Sequence, residues 1–185
     1  MRESKRTLIL DAAARVVQRD GIKSVTYDTV AAESGLTKGG LVYHFPSREE
    51  MIVALHEHLA GLWEASMVAQ AGKPAADASV TERLEAYARA SIQSSTRAEL
   101  LLLIEGSTTA EYSQAWNDVL ERWTPSAPTD LGDHTAVEQF MARLAADGLW
   151  LHDALAPEPL DQGLREQLAQ LIAERIQGDP GTARP

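Results

Sequence analysis

Apolar residues recur every three or four positions along nearly the whole chain, and this spacing is the strongest constraint on its fold. The first such segment begins near Leu8 and ends at Asp20-Gly21. No stretch alternates apolar and polar residues with β-branched enrichment, which is the pattern expected of strands. The sequence therefore predicts an all-α fold with roughly nine helices.

Residues that cap or end helices divide this pattern into segments. Gly21 ends the first helix and Gly35 the second, while Pro46 separates the third from a long fourth helix that Ser47 can cap. Loops are predicted at 71–79 and 124–132, where glycine and proline occur. The later helices are predicted at about 80–95, at about 98–123 with a break near Gly106, at about 134–155, and from beyond Pro159 to about Ile176.

Charge is unevenly distributed along the chain, whose formal net charge is −10. Residues 1–50 carry eight Lys or Arg against seven acidic residues, and the remainder carries nine against twenty. Because one positive face is enough to meet phosphates, the acidic remainder does not exclude a nucleic-acid partner. The asymmetry indicates two parts with different tasks.

Composition excludes several classes of site. With no cysteine in the chain, disulfides and cysteine-ligated zinc are excluded. His56 and His58 point about 200° apart on a helix, so they cannot share a metal ion. No run approaches the ~18 uninterrupted apolar residues of a membrane span, and no secretory core is present. We expect a cytoplasmic protein with no membrane segment, metal or other cofactor.

The segment from Thr26 to Glu50 has the pattern of a helix-turn-helix. Two short helices flank Gly35-Leu36-Thr37, a tight turn that lets the second helix cross the first steeply. In such a unit the second helix enters the major groove with its N-terminus toward the bases. Lys38 lies at that N-terminus, where free N–H groups favour phosphate, and Gly39-Gly40 lets the backbone approach the duplex. On spacing alone, an ordinary helical hairpin with glycine caps remains an alternative.

The stretch 31–50, Ala-Ala-Glu-Ser-Gly-Leu-Thr-Lys-Gly-Gly-Leu-Val-Tyr-His-Phe-Pro-Ser-Arg-Glu-Glu, resembles the DNA-binding signature of the tetracycline-repressor (TetR) family. The resemblance covers roughly residues 5–55. It implies a homodimer that binds a palindromic double-stranded operator and releases it on binding a small molecule. Gly40 stands where Thr or Ser is common in the family, and Val42 where an aromatic residue is common. The DNA-contact positions implied are Thr26, Thr37, Lys38, Gly39, Gly40, Val42, Tyr43, His44 and Arg48.

A narrower resemblance concerns the multidrug-responsive repressors of corynebacterial efflux genes. It rests on the segments 39–48, 100–104 (Leu-Leu-Leu-Leu-Ile) and 144–149 (Leu-Ala-Ala-Asp-Gly-Leu). This resemblance implies flat, often cationic aromatic effectors. Together with the motif, it predicts a DNA-binding domain over 1–46, a ligand-binding and dimerisation domain over 47–178, and a disordered tail over 179–185.

Aromatic and acidic residues of the second part suggest an effector pocket. All four tryptophans follow residue 60, and Asp147 is a carboxylate in a nearly apolar helix, which is costly unless it is paired or faces a cation. An aromatic stripe is also typical of an ordinary core, and a salt bridge from Asp147 to Arg143 or Arg122 is the alternative to a cation. The candidate ligand-binding residues are Trp63, Met67, Leu103, Glu105, Trp116, Leu120, Phe140, Leu144 and Asp147.

The last two helices are the candidate dimer element. The helix over 134–155 is apolar almost all round, so it must bury two faces. A two-fold mate would complete a four-helix bundle, although packing within one chain is an alternative. The candidate interface residues are Gly148, Leu164, Leu168, Leu171 and Ile172.

Two other functions are alternatives to a regulator. A nucleophile elbow, a phosphate loop and metal-ligand spacing are all missing from the sequence, which argues against an enzyme. An all-α protein-interaction module without DNA binding is the other alternative. Regulation of transcription by operator binding is the function the sequence favours.

Overall fold

A computed structural model describes residues 4–93, 96–158 and 160–177 of the chain. These residues form nine α-helices and contain no strand, as the spacing predicts. Two short 3₁₀-helices, Ile22–Ser24 and Ala75–Asp77, were not predicted. The predicted tail over 179–185 lies outside the described residues. The helices are α1 (Lys5–Asp20), α2 (Tyr27–Ser34), α3 (Lys38–His44), α4 (Arg48–Ala71), α5 (Val80–Gln93), α6 (Arg97–Gly106), α7 (Ala110–Trp123), α8 (His134–Leu155) and α9 (Gln162–Gln177).

Local hydrogen bonds explain where the helices begin. The Thr37 hydroxyl accepts from the Gly40 amide at 3.2 Å and caps α3. The Ser47 hydroxyl accepts from the Glu50 amide at 3.1 Å at the start of α4. Such caps satisfy amides that have no partner within the helix. The predicted break near Gly106 is confirmed, because α6 ends at that residue and α7 begins at Ala110.

The described residues fold into two compact units that interleave along the chain. The first comprises the residues up to Leu62 together with Thr96–Asn117. In it, α1 packs against α2 and α6, and α2 packs against α3. The fully buried side chains of its core include Ile9, Val16, Val30, Leu41, Met51, Leu55 and Leu102.

The second unit comprises the described residues from Trp63 to 93 and from Asp118 to Gln177. Helices α5, α8 and α9 pack against one another. Its buried side chains include Leu84, Tyr87, Val119, Trp123, Ala146, Trp150, Ala173 and Ile176. The functional division at residues 46 and 47 stays a prediction.

Across the ranges that the structure describes, we find no helix both long enough and apolar enough to cross a membrane.

Candidate DNA-binding surface and effector site

The turn between α2 and α3 depends on one glycine. Gly35 ends α2 in the left-handed region, with φ 70°, and its amide bonds to the carbonyl of Ala31 at 3.0 Å. A side chain at this φ is strained, so glycine suits the position. At the other end of α2, the hydroxyl of Thr26 accepts from the Thr29 amide, and the hydroxyl of Thr29 accepts from the Thr26 amide. Both ends of α2 are therefore fixed by local chemistry.

Helix α3 exposes most of its side chains. Leu41 is buried against the first unit's core, while Val42 is 43% exposed and Tyr43 is 83% exposed. A Cβ added at Gly39 would meet no atom within 4 Å. A bulky aromatic side chain held in solvent at the end of a short helix is poorly explained by folding. It suits a surface that meets a partner.

Lys38 lies in the first turn of α3 and contacts an acid in the absence of DNA. Its Nζ lies 3.0 Å and 3.1 Å from the two carboxylate oxygens of Asp28. Both side chains are exposed, at 58% and 77%. An exposed ion pair of this kind contributes little to stability, so a phosphate can replace Asp28 as the partner of Lys38.

The remaining predicted DNA contacts are not equivalent. His44 is half-buried, and its ring lies edge-on to that of Tyr43, with centroids 5.2 Å apart. The hydroxyls of Thr26 and Thr37 are engaged in the helix caps. The Arg48 guanidinium donates to two backbone carbonyls, those of Val25 and Ile22. Arg48 is thus placed differently from the exposed residues of α3.

In the second unit, three aromatic side chains lie together. The ring of Trp63 on α4 lies 5.4 Å from that of Tyr87 on α5 and 6.5 Å from that of Trp150 on α8. All three side chains are buried. The Tyr87 hydroxyl donates to the carboxylate of Asp147. The structure therefore brings two predicted ligand residues, Trp63 and Asp147, to the same cluster.

Asp147 contacts both an aromatic residue, Tyr87, and a basic residue, Arg143. Arg143, one turn earlier on α8, lies 3.8 Å from its carboxylate, so the predicted ion pair is present but long. Burial raises the pKa of Asp147, while the Tyr87 hydroxyl and Arg143 act in the opposite direction. Burial, followed by the charge of Asp147, raises the pKa of Tyr87. Tyr87 therefore stays a hydrogen-bond donor at neutral pH.

The other candidate ligand residues are divided between the units. Trp116 belongs to the first unit, where its Nε1–H donates to Nδ1 of His56 at 3.0 Å. Leu103 and Glu105 are in the first unit as well, whereas Met67, Leu120 and Phe140 are in the second. Leu144 is 47% exposed and does not share the buried face of α8 that carries Ala146 and Trp150.

Sequence reasoning missed two residues of these clusters, Tyr87 and His56. Tyr87 lies on the buried face of α5, and its phenol is the type of donor that a half-buried carboxylate requires. His56 is 1% exposed, stacks on Tyr112 with centroids 4.9 Å apart, and accepts from Trp116. Burial lowers the pKa of His56 to about 4. His58, by contrast, bonds to Asp11 at 2.7 Å.

Two protein-family models match the two parts of the chain. A model of bacterial regulatory proteins of the tetR family matches residues 9–55, and one of the tetracyclin repressor-like C-terminal domain matches residues 81–177. The chain is 28% identical over 196 residues to the HTH-type transcriptional regulator BetI of Burkholderia mallei, covering 95% of this chain and 97% of BetI.

Solved structures share the fold at lower identity. The multidrug binding protein EbrR complexed with malachite green is 21% identical, with a TM-score of 0.61 over 94% of this chain and 99% of EbrR. A transcriptional regulator from Saccharomonospora viridis in complex with choline is 20% identical, with a TM-score of 0.67 over 94% and 96%. AibR, solved with isovaleryl coenzyme A and operator DNA, is 20% identical, with a TM-score of 0.65 over 94% and 98%.

The helix-turn-helix of the first unit and the helical second unit define a DNA-binding transcriptional regulator rather than an enzyme. The chain belongs to the tetR family of bacterial regulatory proteins.

Proposed function

We propose that this regulator is a cytoplasmic repressor that binds a palindromic operator as a homodimer and is released by a small cationic aromatic effector. The observation that carries the proposal is the exposed face of α3, on which Lys38 and Tyr43 point into solvent beside the backbone of Gly39. Nothing in the fold of the first unit requires this exposure. A groove-binding helix does require it.

The proposed DNA contacts follow from this geometry. Lys38 and the first amides of α3 meet phosphates, and Val42, Tyr43 and His44 reach bases or the sugar-phosphate backbone. Thr26 and Thr37 lie at the N-termini of α2 and α3, where helix dipoles favour phosphate. Gly39 and Gly40 allow close approach of the α3 backbone.

The proposed dimer interface is an apolar stripe on α8 and α9. On α8 the exposed positions 141, 144, 148, 151 and 155 follow alternating steps of three and four residues, and four of them are Met or Leu. Gly148 lies within the stripe and has nothing within 4 Å of a Cβ built there. On α9, Leu164 and Leu171 are 45% and 56% exposed. Such spacing is typical of the apolar residues at the contact between two packed helices.

The exposure of individual leucines supports some positions of the proposed interface more than others. Leu168 and Ile172 are half-buried within the chain, whereas Leu164 and Leu171 are exposed. Leu144 belongs with the α8 stripe, so we propose it as an interface residue instead of a ligand contact. A two-fold mate would bury these side chains and set two α3 helices ~34–36 Å apart for a palindrome.

The proposed effector site is the cluster of Trp63, Tyr87, Trp150 and Asp147. Aromatic faces attract cations, by about 0.5–2 kcal/mol each, and the Asp147 carboxylate adds negative charge. The fold neighbours include one protein solved with malachite green and one with choline, both of which are cations. Because Arg143 offsets part of the Asp147 charge, the aromatic rings are expected to add to the selectivity that the carboxylate supplies.

Selection of DNA by the purified protein tests this proposal. Wild type is allowed to recover duplexes from a random pool, and the recovered sequences are footprinted with hydroxyl radicals. We expect an inverted repeat with two protected half-sites one helical turn apart, or a multiple of it. Recovery of a single half-site, or no enrichment at all, would contradict a dimer on a palindrome.

A further inference from the structure

Arg48, at the start of α4, makes two long-range contacts inside the first unit. Its Nε donates to the carbonyl of Val25 at 2.7 Å, and its Nη2 donates to the carbonyl of Ile22 at 3.2 Å. These carbonyls lie 23 and 26 residues earlier in the chain. They belong to the short segment that leads from α1 into α2.

The segment that Arg48 holds determines where α2 begins. Val25 is fully buried and immediately precedes the α2 cap, Thr26. The Val25 amide bonds to the Ile22 carbonyl at 3.0 Å, so both carbonyls held by Arg48 belong to one tight turn. Arg48 thus connects the first turn of α4 to the N-terminus of α2.

A second bond extends the connection to α3. The Tyr27 hydroxyl, in the first turn of α2, donates to the carbonyl of Phe45 at 2.6 Å. Phe45 follows the last residue of α3 and is buried. The starts of α2 and α4 and the end of α3 are therefore linked by side-chain bonds to backbone carbonyls, which accept with defined direction.

From these contacts we infer that Arg48 is a positioning residue, which orients α2 and α3 relative to α4 for DNA binding, and not a phosphate ligand. A guanidinium engaged by two carbonyls keeps its charge but has its Nε–H and one Nη–H committed inside the protein. Reaching a phosphate with those donors would leave the Val25 and Ile22 carbonyls without them. The role of Arg48 thus differs from that of Lys38, whose partner Asp28 is exposed.

Two substitutions separate the two roles. In Arg48→Gln the side-chain Nε2–H occupies the place of the arginine Nε–H, so the bond to Val25 is retained while the charge is lost. In Arg48→Lys the charge is kept. The single ammonium lies one atom beyond the place of the arginine Nε, so it cannot reproduce the paired Nε–H and Nη2–H donors. Arg48→Ala removes both properties.

Affinity for the duplex recovered by wild type is measured at several salt concentrations. For a positioning residue we expect Arg48→Gln to stay within ~3-fold of wild type, Arg48→Lys and Arg48→Ala to lose ~10-fold or more, and the salt slope of all three to stay near the wild-type value. Near-wild-type binding by Arg48→Lys, with the slope of Arg48→Gln and Arg48→Ala reduced by ~0.9, would assign Arg48 to a phosphate and overturn the inference.

Hydrogen exchange gives a readout that needs no DNA and separates positioning from loss of the fold. Amides of residues 22–27 should exchange faster in Arg48→Lys than in Arg48→Gln, while the amides of α1 keep their wild-type protection. Equal exchange in all variants would contradict the inference that Arg48 holds the segment 22–27 in place. If wild type recovers no duplex, the proposed operator binding fails, and this exchange experiment still decides the role of Arg48 in the first unit.

Discussion

Tyr87 on α5 and Asp147 on α8 are joined by a hydrogen bond from phenol to carboxylate, although they lie 60 residues apart in the chain. The bond gives a half-buried acid a neutral donor, and it places that acid at the edge of the Trp63–Tyr87–Trp150 cluster. Because the Asp147 carboxylate lies next to aromatic rings, the same pair serves both the packing of the second unit and the proposed recognition of a cation.

Tyr87→Phe should lower the unfolding free energy by about 1 kcal/mol at pH 7, since the half-buried Asp147 carboxylate loses a donor that water replaces only in part. Burial raises the folded pKa of Asp147, and loss of the hydroxyl raises it further. An acid whose pKa is raised in the folded state favours folding at low pH. This contribution to stability is lost as pH rises through the pKa of the folded state. The cost measured by urea denaturation should therefore shrink at pH 3, and in an Asp147→Asn background. An equal cost under all conditions would contradict a bond to the ionised acid.

His56 should make the first unit sensitive to mild acid. Its folded pKa is about 4 because of burial, below the ordinary value of about 6.5. The folded state thus binds fewer protons than the unfolded state. The contribution of His56 to the free energy of unfolding is therefore fully present above pH 6.5, and up to about 3 kcal/mol of it is lost as pH falls toward 4.

His56→Asn is the matched control, because its Oδ1 occupies the place of the imidazole Nδ1 and can still accept from Trp116, and it does not titrate. The difference in unfolding free energy between wild type and His56→Asn should change by about 3 kcal/mol between pH 7 and pH 4. Parallel pH profiles of the two proteins would show that His56 is not held neutral by burial.

Lys38→Ala should reduce the salt slope of operator binding by ~0.9, which corresponds to one lost phosphate contact. Lys73→Ala is a matched control, since Lys73 is also exposed and paired with a surface acid, Glu82, but belongs to the loop after α4. Fluorescence anisotropy of labelled duplex at several salt concentrations measures both. A slope that is reduced equally by the two substitutions, or by neither, would remove Lys38 from the DNA interface.

Leu151→Glu combined with Leu171→Glu should give monomers, because both side chains are exposed in one chain and would bury charge in the proposed interface. Helix content should stay at the wild-type level. Leu131→Glu, at a leucine that is 78% exposed and lies outside α8 and α9, is the control and should leave the dimer intact. Sedimentation equilibrium distinguishes these states, and a double variant that stays dimeric would place the interface elsewhere.

Features set by local chemistry were predictable from the sequence. The helix starts after Thr37 and Ser47, the turn at Gly35 and the break at Gly106 each depend on residues within one helical turn. The exposed face of α3 followed from the same local pattern together with the family resemblance.

Features that depend on how helices face one another were not predictable. The hydrogen-bond partners of Asp147, His56 and Arg48 lie between 23 and 60 residues away in sequence. Helical spacing gives the buried face of each helix but not its register against a neighbour. For that reason the sequence does not indicate Tyr87 as a partner of Asp147, and the predicted roles of Leu144 and Arg48 stay predictions beside the roles proposed above.

Release of operator DNA by a cation tests the central claim, that the second unit controls DNA binding through the cluster at Asp147. Malachite green is titrated into the complex of wild type with its selected duplex, and anisotropy reports the released DNA. We expect release by the dye, no release by an anionic dye of similar size, and ~5–150-fold weaker coupling in Asp147→Asn, which should bind DNA normally without dye. Release that is equally strong with the anionic dye, or equal in wild type and Asp147→Asn, would contradict the account.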